Sequence, residues 1–203
     1  MGLSRLVVAV LVALTVSGCT GGDKSPPDSP QRGATSPAAS GPTYKATSFD
    51  LCNNTDIKAF VLDLRLTVDS TDNSPSAEGP GAACMWRIKS ADGNPSMLRV
   101  QAVVHRSVED ASRSFKGQQF VTNMKSDGPI SGLGDQAEGR TVDSESDQGF
   151  KQSEYMVHLR TGNMTVKTWI ILGAKEFTPK QTLATRMDAL TRATLTTVSS
   201  AFK

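Results

Sequence analysis

From Tyr155 to Leu172 the chain runs as two alternating segments around Gly162-Asn163, and this stretch restricts the possible folds more than any other. Tyr155, Val157 and Leu159 are spaced by Met156 and His158, and Val166, Thr168 and Ile170 by Lys167 and Trp169. A period of two sends successive side chains to opposite faces of a strand. A two-residue link containing glycine suits a tight hairpin turn. That turn sets the register: Leu159 faces Val166, Val157 faces Thr168 and Tyr155 faces Ile170 on the inner side. On the other side His158 faces Lys167 and Met156 faces Trp169.

A second pair of strands lies upstream. Cys84, Trp86 and Ile88 alternate with Met85, Arg87 and Lys89; after the turn residues Asp92-Gly93-Asn94-Pro95, Leu98, Val100, Ala102 and Val104 alternate with Arg99, Gln101, Val103 and His105. Helical spacing recurs in three places. Asn54 or Thr55 can cap a helix whose Ile57, Phe60, Val61 and Leu64 share one face, and Pro75, Gly79, Pro80 and Gly81 mark a loop after it. Ser107-Val108-Glu109-Asp110 resembles a capping box opening a helix through Ala111, Phe115 and Gln119, and Gly128 to Gly134 breaks the pattern. Thr178-Pro179-Lys180-Gln181 supplies an N-cap and a proline at the first helical position, ahead of a stripe of Leu183, Met187, Leu190, Thr194 and Val198. The order predicts an α+β fold, a mostly antiparallel sheet of about five strands with three helices packed on it.

The start of the chain reads differently. Met1 to Arg5 is short and positive, and Leu6 to Val16 is apolar except for Thr15. A spanning helix needs about 20 apolar residues, so this shorter run is expected to be a signal segment. Val16-Ser17-Gly18-Cys19 then resembles the lipobox of bacterial lipoproteins, which implies cleavage before Cys19 and diacylglyceryl attachment to its thiol. The alternative is plain secretion with Cys19 left free. Two acyl chains anchor stably where one does not. Thr20 to Thr43 is rich in Pro, Ser, Gly and Ala and holds almost no large apolar side chains, the composition of a disordered tether. The expected organisation is a signal peptide at 1–18, lipidated Cys19 with its tether at 19–43, and one globular domain at 44–203. It predicts attachment to the extracytoplasmic face of the cell membrane.

Cys52 and Cys84 remain for the domain. In an oxidising compartment an even pair defaults to a disulfide, worth ~3.7 kcal/mol in the chain-entropy model. A redox-active pair or half of a metal site would call for closer spacing or further ligands.

Phe49-Asp50-Leu51-Cys52 before an amphipathic helix, Cys84-Met85-Trp86 opening a strand and Gly132-Leu133-Gly134-Asp135-Gln136-Ala137 leading into another together resemble an actinobacterial lipoprotein family with a domain of unknown function. Its members share an Asp-x-Cys start, a Cys-x-Trp strand and a Gly-Leu-Gly-Asp-x-Ala turn. The resemblance implies a lipid-anchored envelope domain with Cys52 bonded to Cys84, and it assigns no catalytic residue. Where relatives read Asp-Pro-Cys, this chain has Leu51 in place of the proline.

Chemistry-bearing patterns are sparse. The net charge of +2 argues against a nucleic-acid binder. His105 and His158 are the only histidines, both expected mid-strand as solvated or hydrogen-bonded side chains. Gly-x-Ser-x-Gly, His-Glu-x-x-His and the ligand set of an EF-hand are absent, so no catalytic residue, metal or cofactor is expected. Asp143-Ser144-Glu145-Ser146-Asp147 reads as a solvated loop. The less apolar face of the sheet gathers Arg87, Lys89, Arg99, His105, His158, Arg160 and Lys167 with Trp169 and Met156. The plainer reading is of charges guarding an exposed sheet; the functional one is an anionic ligand at Arg99, His105, His158, Arg160, Lys167 and Trp169. The sequence therefore predicts a non-catalytic binding or accessory module of the envelope, held to the membrane through Cys19 and facing an unidentified ligand or protein. The alternatives are a structural or sensor component of a membrane complex, and a hydrolase.

Overall fold

A computed structural model describes residues 41–121 and 123–203. The expected signal peptide, Cys19 and the tether up to residue 40 lie outside them. Two short helices, α1 (Leu51–Asn54) and α2 (Lys58–Asp63), precede three strands, β1 (Thr67–Pro75), β2 (Gly81–Lys89) and β3 (Pro95–Val104). Then follow α3 (Val108–Val121), the strands β4 (Lys125–Pro129), β5 (Gln136–Glu145), β6 (Lys151–Thr161) and β7 (Met164–Ala174), and α4 (Lys180–Ala201). All seven strands form one antiparallel sheet in the order β1-β2-β3-β7-β6-β5-β4.

The class remains α+β-like, but among the described residues seven strands replace the five expected and four helices replace three. Both unforeseen strands are sheet edges. All nine residues of β1 (TVDSTDNSP) are exposed, and β4 (KSDGP) has no large apolar residue, so neither shows the alternation that one buried face imposes. The extra helix arises because Asp50, not Asn54 or Thr55, accepts the backbone N–H of Asn53 and starts a separate α1. Thr178 likewise caps nothing: its backbone N–H donates to Ser153 Oγ at 3.0 Å, and α4 begins after Pro179 without a side-chain cap. Asp143, Ser144 and Glu145, expected in a loop, continue β5.

The central hairpin has the register that its alternation dictates. Leu159 pairs with Val166, Val157 with Thr168, Tyr155 with Ile170, His158 with Lys167 and Met156 with Trp169. Gly162 turns at φ +51°, and a Cβ there would sit 1.7 Å from Pro42 O, so glycine is required twice over. One face of the sheet carries Trp86, Ile88, Leu98, Val100, Val157, Leu159, Val166 and Ile170 into the main core, against Leu51 of α1, Phe60 of α2 and the Leu183, Met187, Leu190 and Val198 stripe of α4. Each such side chain, fully buried, is worth about 1.5–3 kcal/mol. A disulfide joins Cys52 of α1 to Cys84 of β2, with Cα atoms 5.1 Å apart. It ties the entry of the domain to the sheet. On the opposite face, α3 packs across β6 and β7, burying Ala111 and Phe115.

Candidate functional site

The second face of the sheet holds every residue of the expected anionic-ligand face except His105, which lies just past β3. Paired registers arrange it in rows across the strands. One row runs Ala83, Gln101, Lys167, His158, Glu138; the next runs Met85, Arg99, Trp169, Met156, Arg140; a third runs Arg87, Met97, Ile171, Glu154, Val142. Helix α3 covers His158 in the first row, the β1–β2 loop meets Gln101 and Lys167 through Ser76 and Glu78, and the other two rows are left partly open.

Beneath α3 and the loops beside it the polar groups are consumed internally. His158 is 5% exposed and stacks on Phe115, with ring centroids 5.0 Å apart. Burial, reinforced by the nearby Lys167, His105 and Arg140, pushes its imidazole down to about 3, so it is neutral at ordinary pH. The Lys167 side chain is 14% exposed and its ammonium meets Glu78 Oε1 at 2.6 Å. Arg160 is 11% exposed and bridges Asp135 Oδ2 at 2.9 Å, Gln136 Oε1 at 3.0 Å and the carbonyl of Gly162 at 3.1 Å. His105 Nε2 lies 2.9 Å from Thr165 Oγ1, and burial lowers its pKa as well. Arg140 binds Glu138 at 3.2 Å and donates to the carbonyl of Met124 at 2.8 Å. The six expected residues therefore do not form one ligand-accessible set. His158, Arg160 and Lys167 serve the fold.

Arg99 and Trp169 remain available, and they adjoin a strip that alternation alone did not single out. Met85, Met97 and Ile171 are half-buried around them, and Arg87 is exposed. Neither Arg87 nor Arg99 makes an ion pair among the described residues. Trp169 Nε1 donates to Glu154 Oε2 at 3.1 Å; burial raises the pKa of Glu154, and this hydrogen bond opposes the shift. Sequence alternation puts Met85 and Met97 on this face but gives no sign that α3 stops short of them.

A separate groove of about 640 Å³ lies beside α3, between Phe115, the rim of β5 and the β4–β5 connection. Its wall contains the Gly132-Leu133-Gly134-Asp135-Gln136-Ala137 motif, with Gly132 at φ +66° and Gly134 at φ +64°. Gly134 packs so closely that a Cβ would meet Arg160 O at 2.6 Å. Arg192 braces the loop from α4, donating to the carbonyls of Gly132 and Ser131 at 2.8 and 3.1 Å.

Neither imidazole is oriented by a carboxylate hydrogen bond among the described residues, and no three His, Cys, Asp or Glu side chains gather there as metal ligands. No helix among those residues is long and apolar enough to cross a membrane. No family model, curated protein or solved structure matches the chain.

Proposed function

We propose that this chain is an envelope lipoprotein, anchored at the extracytoplasmic face through diacylglyceryl Cys19, whose domain is a non-catalytic binding module for anionic lipid. The motifs around Cys52, Cys84 and Gly132 support a place among the actinobacterial envelope lipoproteins. The observation that carries the ligand reading is the open strip: two guanidiniums without ion-pair partners, Arg87 and Arg99, beside half-buried Trp169, Met85, Met97 and Ile171. Guanidinium binds phosphate oxygens in a bidentate fork, and the thioether and indole groups suit the apolar part of the same molecule. The hydrolase alternative finds less support, since His105 and His158 have no carboxylate hydrogen bond among the described residues and His158 is stacked, buried and neutral.

Three measurements test this reading. Mass spectrometry of the mature N-terminus should find a diacylglyceryl group on Cys19, and Cys19→Ser should move the protein from the membrane to the soluble fraction. The released protein should sediment with phosphatidylglycerol vesicles and not with phosphatidylcholine vesicles, an attraction that added salt weakens. Binding to a soluble phosphate polymer in place of both vesicles would replace lipid as the ligand.

A further inference from the structure

We infer that the open strip recognises a headgroup carrying a primary ammonium beside its phosphate, an aminophospholipid of the phosphoethanolamine type. The inference rests on the lipid reading of that strip and adds which headgroup it takes. Trp169 of β7 stands between two opposite charges, one on each neighbouring strand. Arg99 is its register partner on β3, and the guanidinium makes no ion pair among the described residues. On the other side Glu154 of β6 accepts the indole N–H at 3.1 Å through Oε2, and no cation among those residues pairs with it. Glu154 is half-buried, so its carboxylate has given up part of its hydration in return for one hydrogen bond from a neutral donor. An ammonium placed there would restore what burial removed.

Charge complementarity separates this class from the simpler ones. A phosphate alone answers Arg87 and Arg99 and leaves Glu154 as a repelling neighbour. A bare cation answers Glu154 and meets two guanidiniums. A zwitterionic head answers both: its phosphate oxygens take the guanidinium fork, and its ammonium lies over the indole and against Glu154 Oε1. A quaternary choline has no N–H to donate to that carboxylate, so the arrangement favours the primary amine. The strands beside Glu154 add no competing cation. Val142 lies opposite it on β5 and Ile171 on β7, and Arg140, one row away, is held by Glu138. Asp72, opposite Met85 on β1, is a second carboxylate at the margin of the strip, but it is exposed and keeps its water.

The test is sedimentation of the Cys19→Ser chain at pH 8 with two vesicle mixtures of equal charge, phosphatidylglycerol with phosphatidylethanolamine and phosphatidylglycerol with phosphatidylcholine. The parent should bind the ethanolamine mixture about fivefold more tightly, the size of one partly buried ion pair. Glu154→Gln, whose amide oxygen still accepts the indole N–H, should bind both mixtures equally, and Asp72→Asn should keep the preference. Equal binding of the two mixtures by the parent would overturn the inference and leave the lipid reading in place. A preference retained in Glu154→Gln, or lost as fully in Asp72→Asn, would also overturn it, because vesicle packing or general surface charge would then be the source. No binding to either mixture would remove the lipid reading and the inference with it.

Discussion

Asn163 does more than turn a hairpin. Its Oδ1 accepts the Tyr44 N–H at 2.6 Å, and its Nδ2 donates to the carbonyls of Tyr44 at 3.0 Å and His105 at 2.8 Å. One buried amide thus joins the first residues of the domain and the end of β3 to the β6–β7 turn. Removing it strands those backbone groups, so Asn163→Ala should destabilise by about 3 kcal/mol in urea unfolding. A loss no larger than that of an average surface substitution would deny Asn163 this role. Alternation and turn chemistry made Gly162-Asn163 readable as a hairpin. The amide's partners were not readable, because they lie 119 and 58 residues away. His158 shows the same limit. Its strand position was visible, but not the Phe115 ring that buries it. Its folded pKa of about 3 lies below the ordinary 6.5, so between these values the unfolded chain binds a proton that the folded chain refuses. Stability should fall as pH drops through that window, by at most about 1.4 kcal/mol per pH unit. His158→Phe should flatten the slope measured by urea unfolding at a series of pH values, and equal slopes would remove His158 as its source.

Elements were legible in proportion to the apolar surface they bury. The hairpin, β2, β3 and the α4 stripe all alternate or repeat because one face meets the core. β1 is exposed throughout, held by its pairing with β2 and touched by α1 where Asn73 Oδ1 accepts the Leu51 N–H at 3.1 Å, so its composition carries no strand pattern. As an unpaired edge it is guarded by Asp69, Asp72, Pro75 and a register shift between Val68 and Ser70. Its amides should exchange with deuterium fastest of all the strands, well ahead of β3 and β7 at the centre; equal protection would mean that something covers the edge. The bridge from α1 to β2 is the covalent counterpart of this weakly packed margin. Reducing Cys52–Cys84 should lower stability by about 3–4 kcal/mol in calorimetry. An unchanged melting profile after reduction would show that α1 docks without it.

At the scale of the whole molecule, the sheet is sealed on one side by α1, α2 and α4 and only partly covered by α3 on the other. That asymmetry divides the cations of the second face into two groups. His158 lies under α3, Lys167 and Arg160 are held by Glu78 and Asp135 in neighbouring loops, and all three are spent on internal contacts, whereas Arg87 and Arg99 are not. Sequence alternation assigns a residue to a face, but how far a helix extends over that face depends on packing between distant segments. On the proposed reading the open strip, not the face as a whole, meets the ligand. Sedimentation of the Cys19→Ser protein with phosphatidylglycerol vesicles tests it most directly when Arg87→Glu/Arg99→Glu is compared with Lys167→Gln. Charge reversal on the strip should weaken binding by roughly tenfold or more, at about 1 kcal/mol for each cation near an anionic surface, while Lys167→Gln should bind like the parent. Equal loss in both variants, or no loss in the first, would contradict it.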